Sequence, residues 1–508
     1  MTAVEILACS SGNTTLDTAR RVPNDSQKIH LQYNPNDSLA HVRCLMQPRR
    51  KGIRMISCHL ESIKKTIAIA ITMAIGLAVV SFPSRVFAQA GVDRDLLSEI
   101  MKIKAIDNHA HPLKYVAEGE KPDDEFDALP LDAIVAFPLP VRLSPTNPEF
   151  IRAWHDLYRY SHNDMTAAHV RELMDAKQAV VKQRGEGTPA WILDQLNIET
   201  MFANRVAMGR GLTAPRFRWV AFDDALIFPL SNEAQKRSNL DYKGFYPGEE
   251  KLLKRYLADL KISALPPTLD AYMKTVVTPT LEWQKQNGAV AIKYEAAYLR
   301  KLDFDNPDAA KARLTYFHYV RGGEPPPSDY KALQDFLFFY IARECGRLGL
   351  AVHIHCIEGA GGFYRQSGSN PLLMETAFND ASLRKTNFVV VHGGYPFTKE
   401  MGSLMSKPNV YADFSAQTFF TYPRELSETL RNWMEFYPDK ILFGTDAFSF
   451  DPAVDWGEVA WLSNTTARQA LALALTGMMN DGEIDRARAN ELAHMVLHDN
   501  AAKLYGLK

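Results

Sequence analysis

Cysteine is scarce in this sequence: there are five in 508 residues, and three of them (Cys9, Cys44, Cys58) precede residue 91. Cys345 and Cys356 remain in the body, too few for a disulfide framework or a cysteine-rich zinc site. Surplus positive charge is also missing. The formal net charge is −1, but residues 1–90 hold eleven Lys/Arg against five Asp/Glu, so residues 91–508 stand at −7. A mildly acidic body is a poor partner for nucleic acid. No Gly-x-Gly-x-x-Gly follows the first candidate strand, which argues against an open dinucleotide-binding sheet. No internal repeat or low-complexity tract stands out.

One apolar run is present, Thr66–Phe82. Lys64 and Lys65 precede it, and Pro83–Ala90 (PSRVFAQA) follows. A positive lead, an apolar centre and a small-x-small ending describe a secretory signal cleaved after Ala90 or Ala88. The run is short for a membrane span, which needs ~20 apolar residues. The expectation is an exported protein, periplasmic or secreted, with no stable membrane insertion once the signal is removed. Signals normally begin a chain, yet about 60 residues of basic, patternless sequence precede this one. Met46 or Met55 is therefore the expected true start. The domain reading is an extension and signal over 1–90 and a single folded domain over 91–508.

From Gly91 onward, short β-rich runs alternate with longer helical patterns, as repeated βα units do. Eight strands are expected: Lys104–His109, Ile198–Asn204, Arg218–Asp223, Ala289–Lys293, Ala351–His355, Asn387–His392, Asn409–Phe414 and Lys440–Asp446. Tyr330–Leu348, stopped by Gly349, and Glu425–Phe436 read as helices between them. Eight such units favour an α/β fold of the closed (β/α)8 kind, a TIM barrel. The first crossover, Pro112–Trp191, is too long for one helix. It reads as an insertion over the barrel mouth, helical from about Pro148 to Lys182. Arg321–Ser328 (RGGEPPPS) is a linker before the Tyr330 helix. Three helical segments, Thr465–Met479, Asp481–Val496 and His498–Tyr505, should pack on the barrel wall.

The chemistry centres on Ala105–Leu113, AIDNHAHPL. In a strand, His109 and His111 project to the same side, and two imidazoles at a strand end can grip one metal ion. Downstream strands end in Lys293 (VAIKYEAAY), His353-Ile354-His355, His392 (VVVHGGYP) and Asp446 (LFGTDAF). A lone histidine at a strand end is more often solvated or hydrogen-bonded than a ligand, and Asp446 could simply cap a following helix. Histidines and an aspartate converging on one barrel mouth carry the argument instead.

That order resembles the amidohydrolase superfamily, in particular the amidohydrolase 2 branch of metal-dependent hydrolases and decarboxylases. His-x-His closes strand one, histidines end strands five and six, and Phe-Gly-Thr-Asp ends strand eight. The closing Asn500–Gly506 run is similar to the branch's Asn-Ala-x-x-Leu-Tyr-Gly ending. A narrower likeness, in Lys293…Tyr298 and His392–Phe397, is to members fused to or near glutamine synthetase-like domains. The likeness runs from Ala105 to the C-terminus, outside the insertion. It implies His109, His111, His355 and Asp446 as ligands of Zn²⁺ or a similar divalent ion. The expectation is one ion, or two if Lys293 is a carboxylated bridge and His392 a ligand. Such an ion lowers the pKa of its water towards ~7. Asp446 would then shuttle the proton and His392 would polarise the substrate carbonyl. His353 would orient a ligand from behind. Lys293, Tyr298 and Arg300 are candidates for holding an acidic group of the substrate.

The function this implies is metal-dependent hydrolysis of a C–N or C–O bond (amide, lactone or ester) in a small molecule, an acidic one if Lys293, Tyr298 and Arg300 hold it. Non-oxidative decarboxylation or carbohydrate isomerisation on the same scaffold is the alternative. The partner expected is a small-molecule substrate, with a homo-oligomer left open.

Overall fold

A computed structural model describes residues 91–129, 139–359 and 361–507. The secretory signal, the start at Met46 or Met55 and the domain limit at residue 90 fall on or border residues outside that set. Among the described residues no helix is long and apolar enough to cross a membrane.

Eight parallel strands follow one another around the sheet in sequence order. They are β1 Ala105–Ala110, β2 Ile198–Arg205, β3 Phe217–Phe222, β4 Ala289–Tyr294, β5 Ala351–His355, β6 Phe388–Val391, β7 Val410–Asp413 and β8 Ile441–Leu442. Each is almost wholly buried, as strands covered on both faces must be. The seam between the last and first strands is drawn together by backbone bonds. Asn108 N–H donates to Phe443 O (2.8 Å), Asp446 N–H to His109 O (2.7 Å) and His111 N–H to Ala447 O (2.7 Å). Asp107 reinforces it, accepting from the Thr445 amide (2.9 Å) and hydroxyl (2.6 Å). The (β/α)8 barrel expected from the alternation is the fold observed.

Local signals account for the helix ends. Pro327–Leu348 begins on proline and stops where Gly349 turns left-handed (φ 67°). Trp456–Asn480 opens on a capping box between Asp455 and Glu458. This helix starts nine residues earlier than hydropathy suggested, because Trp456–Asn464 is apolar on several faces and buries nearly all of them. The stretch expected to be one helix from Pro148 to Lys182 is two, Glu149–Tyr158 and Ala167–Arg184, broken where Arg159 turns left-handed (φ 56°). Their apolar faces join the outer cluster around Trp154, Val459 and Trp461, so the helices of the insertion brace the barrel side. Its irregular parts, including Asp127, Leu129 and Leu139–Leu143, reach the mouth.

The last helix, Asn500–Tyr505, corrects another expectation. It does not lie on the outer wall. Ala501 sits in the cluster of Ile106, Phe202, Val220, Ala291, Val389 and Leu442, with Ala502, Leu504 and Tyr505 packed against it. These are inward-facing strand residues, so the helix closes the barrel floor.

Candidate metal centre

The site lies at the C-terminal ends of the strands, in a cavity of about 810 Å³. The β1–β2 register shifts between Asp107 and Ala110, a bulge of the kind that re-aims side chains. Strand alternation alone would put only one of Asn108 and His109 inside. With the bulge, both find partners within the barrel. His111 follows the strand directly, and its ring lies edge-on to that of His109 with centroids 5.1 Å apart. On β5, period-two alternation brings both His353 and His355 inward, with Lys293 opposite His353 on β4.

Asp446 gathers the group. Its Oδ1 is 3.1 Å from His109 Nε2 and 3.6 Å from His111 Nε2, and its Oδ2 is 3.9 Å from His392 Nδ1. The His392 ring is edge-on to those of His109 (5.0 Å) and His355 (4.9 Å). Asp446 (φ 53°) and His392 (φ 66°) both hold left-handed backbones, a conformation costing about 1–3 kcal/mol and concentrated at functional sites. Asp446 caps nothing, since the next helix begins ten residues on with its own cap.

These residues fit a divalent ion. Donors around a tetrahedral Zn²⁺ at ~2.0–2.1 Å lie roughly 3.3–3.5 Å from each other, close to the spacing of the His109, His111 and Asp446 atoms. His355 Nε2 is buried with no hydrogen-bond partner, a cost of about 1–3 kcal/mol unless something else occupies it. Burial, aided by the Lys293 charge, holds His109 and His355 well below the usual histidine range. His392 is held down likewise, with His355 adding to the effect of burial. Neutral imidazole is the form that binds metal. Burial raises Asp446 to about 7 against the pull of His111 and Lys293, so a cation there would recover a carboxylate the fold otherwise disfavours.

A layer behind these groups fixes their orientation. Asp127 Oδ2 lies 3.3 Å from His111 Nδ1, the carboxylate–histidine arrangement that directs Nε2 outward. Asp413 accepts from Asn108 Nδ2 (2.8 Å), the His392 amide (2.9 Å), the Ser415 amide (3.0 Å) and the Ser415 hydroxyl (2.5 Å). Four donors converging on it mark an ionised carboxylate. The one Ser415 hydroxyl proton is therefore spent on Asp413, and Ser415 Oγ must accept from His392 Nδ1 at 2.9 Å. The tautomer assigned by this network carries its proton on Nδ1 and a lone pair on Nε2. Neutral His392 is thus an acceptor at Nε2, not the donor that polarising a carbonyl requires.

The substrate-binding candidates separate. Lys293 is fully buried at the site, its Nζ 3.4 Å from His109 Nε2 and 3.7 Å from Glu295 Oε1. Tyr298 lines the cavity with its ring 4.7 Å from that of His355. Arg300 does not reach it. Its guanidinium bonds to Gln334 (3.0 Å) and Asp335 (2.6 Å) and lies over Phe304, leaving it no role in holding substrate. His353 touches no ligand directly: its Nε2 meets the Tyr505 hydroxyl at 2.7 Å.

Sequence reasoning missed Asp127, Glu295, Asp413, Ser415 and Tyr505. Glu295 stands two residues after Lys293, and Asp413 lies one residue before the end of the predicted strand Asn409–Phe414, so both carried a positional signal. Tyr505 belonged to a recognised ending without an assigned task. Asp127 sits in an insertion with no periodicity, and nothing in the sequence marked it.

Fold and site together define a parallel (β/α)8 barrel with a candidate histidine–aspartate metal site at its mouth. Residues 293–507, from within β4 to the closing helix, match the amidohydrolase family model (Amidohydro_2). Over 142 residues it is 31% identical to the protein fluG of Emericella nidulans, a match covering 27% of this chain and 15% of that protein. The chain therefore spans a small part of this relative. Among solved structures, the uronate isomerase of Thermotoga maritima aligns with a TM-score of 0.55 at 14% identity, over 81% of this chain and 96% of its own. A Lactobacillus casei protein taken for a metal-dependent hydrolase aligns at 0.52 and 16%, over 82% and 98%. At such identities the likeness is one of fold.

Proposed function

We propose that this barrel is a metal-dependent hydrolase cleaving a C–N or C–O bond next to an aromatic or bulky apolar group. The observation that carries the reading is Asp446, placed by a left-handed backbone among three histidines at the base of a cavity walled by aromatic rings. His109, His111, His355 and Asp446 would hold the ion, and zinc suits this donor set. When bound, such an ion activates a water and withdraws charge from a substrate carbonyl.

The chain's own groups do the rest. Asp446 takes the proton of the attacking water and returns it to the leaving nitrogen or oxygen, a general acid–base role. His392, with its lone pair held on Nε2 by Ser415 and Asp413, is the second acceptor beside it. Tyr298, Tyr364, Tyr395, Phe419, Phe420 and Phe448 line the cavity and would exclude water from the reacting carbon. Glu295, Glu358 and Gln366 also line the cavity, so carbohydrate isomerisation on the same scaffold is the second reading.

An acidic substrate is poorly served. The two basic side chains lining the cavity, Lys293 and Arg142, are engaged already. Arg142 spends its N–H groups on Glu149, Thr466 and the carbonyls of Thr418 and Thr421. Export by the N-terminal signal is part of the proposal, checked by sequencing the N-terminus of the mature protein.

The test is turnover of aromatic amides, esters and lactones by zinc-loaded protein in ¹⁸O-water. Hydrolysis puts one solvent oxygen into the acid product. Release of CO₂ with no solvent oxygen in the remaining product would replace this reading with decarboxylation.

A further inference from the structure

Beside the candidate metal centre the barrel buries a group of carboxyls, and desolvation pushes Asp224, Glu249 and Glu295 above the usual carboxylate range. Glu249, on the helix Tyr246–Asp259, is 1% exposed. Neither of its carboxylate oxygens has a hydrogen-bond partner. Asp224 and Glu295 are buried as well, and Asp224 Oδ1 and Glu295 Oε2 are equally without partners. The Glu295 amide donates to Asp224 Oδ2 at 2.8 Å, so these carboxylates are neighbours. Among the described residues the ammonium against them is Lys293, 3.7 Å from Glu295 Oε1 and shared with His109. Unpaired buried carboxylate oxygens are costly, and an ion or ligand missing from view is a standard resolution.

Two of the acids face the cavity. Asp127 and Glu295 both line it, and one oxygen of each lies within 4.8 Å of the other and of a His111 nitrogen. Asp127 is committed to His111 and to the Leu129 amide (3.0 Å). Glu295 Oε2 is the uncommitted group at the wall, with Asp224 and Glu249 behind it, and a cation there would restore the ionised form that burial disfavours.

We propose that the cavity contains a second cation subsite, formed by Glu295 and Asp127 and backed by Asp224 and Glu249. Its occupant is the ammonium of an amine-bearing substrate, held next to the metal centre. The ammonium case rests on the hydrolase reading, but binding can be measured without turnover. The aromatic walls make benzylammonium a suitable probe and benzyl alcohol its neutral counterpart.

The experiment combines metal content per chain with calorimetric titration of both probes into zinc-loaded protein, for the wild type, Glu295→Gln and Glu249→Gln. One ion per chain, with benzylammonium bound about 10-fold or more tighter than benzyl alcohol and the preference lost in Glu295→Gln, identifies an ammonium subsite. Two ions per chain, one of them lost in Glu295→Gln, overturns the ammonium subsite in favour of a second metal. Glu249→Gln, which does not line the cavity, should weaken the ammonium preference and serves alone if Glu295→Gln fails to fold. One ion with no ammonium preference, including no binding of either probe, overturns the subsite, as does a preference that survives both substitutions. Absence of any ion after loading would instead sink the hydrolase reading and leave the ammonium comparison legible.

Discussion

The hydroxyl of Tyr505, in the closing helix, lies 2.7 Å from His353 Nε2 and 2.6 Å from Asn108 Oδ1. It donates to Asn108 and accepts from His353. Through Asn108 and Asp413 this floor contact continues to Ser415 and His392. Tyr505→Phe should strand a buried N–H and a buried carbonyl, destabilising the fold by about 1–3 kcal/mol. It should also lower kcat roughly 10-fold, as supporting contacts of a metal site do, with KM and metal content held. Denaturant unfolding and steady-state kinetics check both; an unchanged kcat would confine Tyr505 to packing.

Ligand and proton-shuttle roles separate by substitution. His109→Ala and His355→Ala should each lose the ion in elemental analysis. Asp446→Asn should retain it while kcat falls by about 10²–10⁴-fold, the usual worth of a positioned acid–base group. A fully active Asp446→Asn enzyme would refute the shuttle.

Arg142 pins the insertion. It joins Glu149 to the carbonyls of Thr418 and Thr421 and stacks on Tyr422, 4.7 Å from the ring centre. Arg142→Ala should destabilise the protein by about 1–3 kcal/mol, the cost of stranding such partners, and raise KM more than it lowers kcat. The segment 139–147 should become a site of limited proteolysis.

Asp223 gives a pH signature away from the metal ligands. It is buried, with Gln284 Nε2 donating to it at 2.8 Å, and desolvation pushes it up to about 8. Its folded pKa lies above the unfolded value, so stability is fullest below about pH 4 and declines as pH rises towards 8. Asp223→Asn should remove that decline. Chemical denaturation should find the variant equal to wild type near pH 4 and more stable near pH 8, by an amount on the order of a few kcal/mol.

Much of this architecture was legible in the chain. All eight strands fell within a few residues of their predicted places, because βα alternation is written in local hydropathy and turn chemistry. The strand-end residues His109, His111, His355, His392 and Asp446 were legible for the same reason: an element's end is a sequence property, and a parallel barrel gathers all such ends on one face. Arg300 shows the limit. It stands two residues after Tyr298, yet a 3₁₀ turn at Ala296–Tyr298 carries it away from the mouth to Asp335.

The sequence by itself determined the repeating units, their order and the donor types at each strand end, since these depend on neighbours along the chain. Only the tertiary structure decided which nitrogen of His392 holds the proton and that Asp127 stands behind His111. It also decided that Tyr505 closes the floor and that both carboxyl oxygens of Glu249 and the Oε2 of Glu295 are left without partners. Each of those rests on atoms distant in sequence meeting in a space without water, where an unpaired hydrogen-bonding group or charge is costly enough to reveal what it is for.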